Sequence, residues 1–242
     1  MKNKFILGTA RLGINNYGIA NKFEKKVINT STILKYAKKN KINFLDTSSY
    51  YGSMEKNISK VKNSKWKIIT KIKIDKSIHK NKNKNNIVKI IDKKIQKSFD
   101  KLKTKKIYCI LISNPELMIK DKKVAKVIYG YIQDIKKKLY LEKFGYSIYN
   151  FNILTNLIKN FRPDLIQCPY NIFDRRLVEA GHLQKLKKEK ILVHVRSIFL
   201  QGLLLMDIYN LPKKFMKWRK LFKNYHKWLQ KNDIKALDAC IN

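Results

Sequence analysis

The chain has 242 residues, of which 55 are Lys or Arg and 17 are Asp or Glu, giving a formal net charge of +38. Hydrophobic residues make up 44%, enough for a sizeable core, which excludes a disordered chain. Only six of the basic residues are Arg and the lysines run along the whole sequence, so the charge reads as solvated faces rather than a specific nucleic-acid surface.

Strand-like and helix-like segments alternate from the start. Phe5 to Gly8 predicts a short strand, Thr32 to Lys39 a helix, and Ile42 to Asp46 a strand ending in an acid. Met54 to Val61 predicts a short helix and Trp66 to Ile72 a strand. From Asn86 to Leu102, apolar residues recur every three or four positions, as on an amphipathic helix. Ile107 to Ile112 is a continuous apolar run, expected of a strand buried on both faces. Val124 to Ile135 predicts a helix, Lys143 to Ser147 a strand, Leu154 to Phe161 a helix and Asp164 to Cys168 a strand. Leu177 to Lys188 predicts a helix and Ile191 to Ser197 a strand.

Seven βα units over about 200 residues favour an α/β fold with a parallel sheet, closed as a (β/α) barrel, in one domain spanning residues 1–242. No GxGxxG opens a helix and no GxxxxGK[ST] occurs, so neither standard phosphate loop is expected. Cys109, Cys168 and Cys240 show no CxxC spacing. Neither a disulfide framework nor a metal site is expected, and a reducing, cytoplasmic location follows. The longest apolar run, Ile198 to Met206, is broken by Gln201 and Gly202 and is about half of what a bilayer crossing requires. The first residues make a poor signal peptide. Residues 207–232 form a basic amphipathic helical insertion: over Lys213 to Gln230, Phe215, Trp218, Phe222, Tyr225 and Leu229 share one face. Such a helix covers the barrel, mediates a homo-oligomer or lies on an anionic membrane.

In a parallel barrel, reactive side chains gather at the carboxyl ends of the strands. Asp46, Lys71, Ser113, Ser147, Gln167 and Arg196 all lie there, with Tyr51 five residues after Asp46. A tyrosine beside an ammonium held by a carboxylate can donate a proton to a carbonyl oxygen. The neighbouring cation is expected to lower the phenol's pKa.

The stretches LGTARLG, NFLDTSSYYG with Glu55 behind it, WKIITKI, CILISNPE, FGYSIYN, DLIQCPYNIFDRR and VRSIFLQGLL resemble the aldo/keto reductase family, in its order and spacing. The similarity runs from residue 5 to about 206 and is nearest the family's bacterial branch. It implies a (β/α)8 TIM barrel that reduces an aldehyde or ketone, sugar-type carbonyls included, with NADPH ahead of NADH. Carried over by position, Asp46, Tyr51 and Lys71 match three members of the catalytic tetrad, with Tyr51 as proton donor. Spacing to Gly52 selects Tyr51 over Tyr50, and the end of WKIIT selects Lys71 over Lys73. Ser147 and Gln167 match residues that hold the nicotinamide carboxamide, and Arg196 and Ser197 match cofactor contacts. Gly8 and Thr9 match the first turn beside the cofactor.

Two departures stand out. Ser113 occupies the place of the usual tetrad His. The eighth strand and helix find no counterpart, and Asp233 to Asn242 resembles the beginning of the seventh barrel helix, so the barrel is expected to be incomplete. An alternative function follows from both: a catalytically impaired relative acting as a binding or scaffold module.

Overall fold

The structure, a computed structural model, describes residues 5–14, 17–19, 29–61, 65–80 and 83–241. Seven strands pair in parallel and in chain order: β1 (Leu7–Gly8), β2 (Phe44–Asp46), β3 (Lys67–Ile72), β4 (Ile107–Ile112), β5 (Leu141–Ser147), β6 (Leu165–Pro169) and β7 (Leu192–Arg196). Between them run α1 (Ala10–Gly13), α2 (Thr30–Lys39), α3 (Met54–Ser59), α4 (Lys84–Leu102), α5 (Glu116–Lys120), α6 (Lys122–Lys137), α7 (Leu154–Asn160), α8 (Arg176–Glu179) and α9 (His182–Lys188). After β7 come 3₁₀ turns, α10 (Arg219–Lys231) and α11 (Ala236–Ile241).

Local chemistry explains these boundaries. Every residue of β4 except Tyr108 is buried, so its apolar run is covered on both faces by the sheet's helices and interior. α4 turns Ile87, Ile91, Ile95 and Leu102 inward, as the three-to-four spacing dictates. The side chains of Asn29, Asn83 and Asp121 accept backbone N–H bonds at the starts of α2, α4 and α6, satisfying donors the first helical turn leaves free. Asp164 joins layers at the foot of the barrel: its Oδ2 accepts from Lys136 Nζ at 2.5 Å and from the Phe144 amide at 2.7 Å.

Among the described residues, the result is an incomplete α/β barrel of seven parallel strands. Among the described residues, β1 and β7 are the two open edges. A groove of about 490 Å³ lies at this seam, lined by Phe5 and Ile6 on one side, Val193 and His194 on the other, and Cys240 and Ile241 of α11.

Three expected elements differ. Leu177 to Lys188 is two helices, because Gly181 adopts a left-handed φ of +71° and breaks the run. The helix expected over Lys213 to Gln230 begins at Arg219, and residues 213–218 form a 3₁₀ turn. Trp218 consequently falls off the buried face, while Phe222, Tyr225 and Leu229 are buried as expected. Near the end, only Ala236–Ile241 is helical, and Asn242 lies outside the described residues. Among the described residues no helix is long and apolar enough to cross a membrane.

Candidate active site

Parallel register sets Gly8 opposite Asp46, Ser147 opposite Gln167 and Pro169 opposite Arg196, so the polar side chains at the strand ends converge at one rim. They form a continuous line of hydrogen bonds. Ser147 Oγ donates to Gln167 Oε1 at 3.2 Å, and Gln167 Nε2 donates to Asp46 Oδ1 at 3.0 Å. Lys71 Nζ donates to Asp46 Oδ1 at 2.6 Å, to Asp46 Oδ2 at 2.7 Å and to the Thr47 carbonyl at 3.0 Å. An ammonium has three hydrogens, and all three are occupied. Lys71 is 6% exposed, so this full set of partners is what makes its burial tolerable.

Tyr51 stands beside this pair. Its ring centroid is 5.3 Å from the Lys71 ammonium, a cation–π distance. Its neighbours differ in exposure: Tyr50 is 48% exposed, with its hydroxyl 3.5 Å from the Lys73 carbonyl, and the Lys73 side chain faces outward. Gly13 seats the Tyr51 loop. A Cβ on Gly13 would lie 2.3 Å from the Tyr51 carbonyl oxygen, so only glycine allows this approach.

The phenol's electrostatics differ from the expectation that lysine would lower its pKa. Burial, followed by the Asp46 carboxylate, pushes the Tyr51 pKa well above the usual value, while Arg196 pulls it down. Burial of the ring and the nearby Asp46 carboxylate together outweigh the pull of Arg196.

The remaining expected positions are diverse. The Thr9 hydroxyl and amide both donate to the Asp46 carbonyl at 2.9 Å, so Thr9 fixes the backbone under the carboxylate. Gly8 has open space where a Cβ would stand. The Ser113 hydroxyl donates to the Ile72 carbonyl at 3.1 Å. Arg196 stacks on Tyr149, its guanidinium carbon 3.7 Å from the ring centroid, and donates to the Ile148 carbonyl at 3.1 Å. Ser197 has a left-handed φ of +60°, and its carbonyl accepts from Asn171 Nδ2 at 3.2 Å. A non-glycine residue in this conformation carries backbone strain, which is common at functional rims.

Sequence reading missed three neighbours. Tyr17 interacts electrostatically with Tyr51, Tyr149, Arg196 and Lys71. Nothing in its sequence neighbourhood signals this. Tyr149 lies two residues beyond Ser147, where its place after a strand end was a usable signal. His194, opposite Gln167 on β7, has a buried Nδ1 without a hydrogen-bond partner, and burial lowers its pKa to about 4. Behind the site, Thr70 donates to the buried Glu55 carboxylate at 2.7 Å, tying β3 to α3.

The family model described as the aldo/keto reductase family matches residues 4–241. The chain belongs to the aldo/keto reductase family. It is an oxidoreductase whose family acts on carbonyl compounds with nicotinamide cofactors. Solved structures share its fold. The glycerol dehydrogenase of Gluconobacter oxydans is 20% identical, with a TM-score of 0.66, over 96% of this chain and 75% of that one. The holo form of an aldo-keto reductase from Bacillus halodurans is 19% identical, with a TM-score of 0.62, over 87% of this chain and 66% of that one. No curated protein sequence matches the chain.

Proposed function

We propose that this aldo/keto reductase reduces an aldehyde or ketone with NADPH, Tyr51 donating the proton to the carbonyl oxygen. The observation that carries this reading is the bidentate Asp46–Lys71 pair held against the Tyr51 ring. Burial keeps the phenol protonated at rest, so it is loaded as an acid. Asp46 fixes Lys71, whose ammonium stands 5.3 Å from the ring centroid. Arg196 favours the phenolate left after proton transfer.

The buried polar pair at the ends of β5 and β6 fits a carboxamide. Gln167 keeps one N–H and a carbonyl lone pair free, and Ser147 keeps its acceptor capacity. Gly8 leaves room for close approach, and Arg196 and Ser197 add a cation and a hydroxyl at the rim. These residues would hold the nicotinamide cofactor, which when bound supplies the hydride. The strongly basic chain favours the more highly phosphorylated NADPH. We read the chain as a single domain acting on a small carbonyl substrate.

Replacing Tyr51 by Phe tests the proposal. Turnover of aldehydes should fall at least about a thousandfold while quenching of NADPH fluorescence persists. Unchanged turnover would remove Tyr51 from the chemistry. The second reading, an impaired binding module, is favoured by Ser113, whose hydroxyl faces a backbone carbonyl where the tetrad imidazole would stand. NADPH binding without turnover across a panel of aldehydes and ketones would support it.

A further inference from the structure

Between residues 213 and 231 lie seven Lys and one Arg, with no Asp or Glu. All eight cations are exposed, and among the described residues none pairs with a carboxylate. α10 seals Phe222, Tyr225 and Leu229 against the body of the protein. Other large apolar side chains remain outside: Met216, Trp218, Leu221 and Trp228 are 43–46% exposed. Leu221 and Trp228 are seven residues apart and so share one stripe of α10. Trp228 also borders Ile234 and Lys235 in a shallow depression, which extends the apolar strip toward α11.

Two tryptophans and two aliphatic side chains left in water among cations call for a cover that is apolar and anionic at once. The cations are almost all lysines, which lack the planar fork that reads phosphates and bases bidentately. Leu221 and Met216 have no π-face on which a base could stack. A bilayer interface meets every feature: indoles sit at headgroup level, aliphatic side chains enter the acyl boundary, and lysine stems lie along the helix with their charges at anionic headgroups. We propose that α10 and the turn before it dock this enzyme on an anionic lipid membrane, with the helix lying in the plane of the surface. Asp233 and Asp238 lie at the far end of the patch.

Sedimentation of the full chain with vesicles tests this. It should bind phosphatidylcholine vesicles containing phosphatidylglycerol and not vesicles of phosphatidylcholine alone, with a blue shift of tryptophan emission. L221S with W228S leaves the charge intact and should weaken partitioning more than about tenfold. K220Q with K223Q and K227Q should weaken it on the order of a hundredfold. All five positions are exposed, and circular dichroism checks the fold of each variant. Absence of binding to the anionic vesicles would overturn the proposal. So would wild-type binding by L221S/W228S, which would assign the effect to net charge alone. Tighter binding to a single-stranded RNA than to the vesicles, weakened by the same variants, would reassign the surface and overturn it too.

Discussion

Lys71 and Asp46 carry the main electrostatic cost of the site. Each is desolvated, with side-chain exposures of 7% and 16%, and each depends on the other for its charge. Replacing Lys71 by Met leaves Asp46 with the Gln167 amide as its side-chain donor. That single change should cost about 3 to 5 kcal/mol of unfolding free energy, the usual penalty for an orphaned buried charge. The double variant Asp46→Leu with Lys71→Met should be more stable than Lys71→Met alone, since both charges leave together. Urea unfolding of the three proteins checks this, and a double variant weaker than the single would contradict it. In the proposed mechanism, Tyr51 sets the pH dependence. Because its folded pKa is raised, the acid form needed for reduction persists below that value and is lost only as pH rises through it. The kcat/KM for reduction should therefore stay level up to about pH 10, the ordinary phenol value. A falling limb centred near pH ~8 would show that another group, or a phenol with lowered pKa, governs the step.

Glycine contacts carry the geometry from residues to elements. α1 and the loop after β2 meet at Gly13 and Gly52, where backbone touches backbone. Gly52 has a φ of +55°, and a Cβ there would lie 2.6 Å from the Gly13 carbonyl oxygen. A methyl group at Gly13 must push the Tyr51 loop away, so Gly13→Ala should lose about 1 to 3 kcal/mol of stability. It should also reduce kcat at least about tenfold by moving the phenol. Steady-state kinetics beside a thermal melt would show whether activity falls further than stability explains. The same scale shows what the chain discloses before it folds. Ile107–Ile112 is read to the residue because burial on both faces leaves no polar interruption. Asp46, Lys71 and Gln167 are legible as strand-end residues, and they do meet. The start of α10 is not legible, because an amphipathic pattern continues unbroken through the 3₁₀ turn after Pro212. Tyr17 escapes notice because a loop tyrosine has no periodicity, and only the fold brings it near Arg196, whereas Tyr149 is signalled by its place just after β5.

At the scale of the molecule, the seam between β1 and β7 is where the sheet leaves its interior least protected. Leu192 and Val195 of β7 are 42% and 46% exposed, unlike the buried positions of β4. His194 sits between them and lines the groove that α11 closes, with Asp46 as the charged group that favours its protonation. Burial outweighs that carboxylate and lowers the imidazole pKa to about 4, whereas an unfolded chain protonates near the ordinary 6.5. Between those values the unfolded state binds the extra proton. The stability His194 contributes is therefore complete above pH ~6.5 and is lost as pH falls toward ~4. The loss should be about 2 to 3 kcal/mol after allowance for partial contact with solvent. Replacing His194 by Leu fills a similar volume and removes the titration. Urea unfolding of both proteins at pH 7 and at pH 4 separates this effect from the growing repulsion of a chain that already carries +38, because repulsion acts on both alike. The wild type should lose more stability than the variant by that margin. Equal losses would mean that water enters the open seam freely enough to solvate the imidazole, and that the interior is not sealed where β1 and β7 face each other.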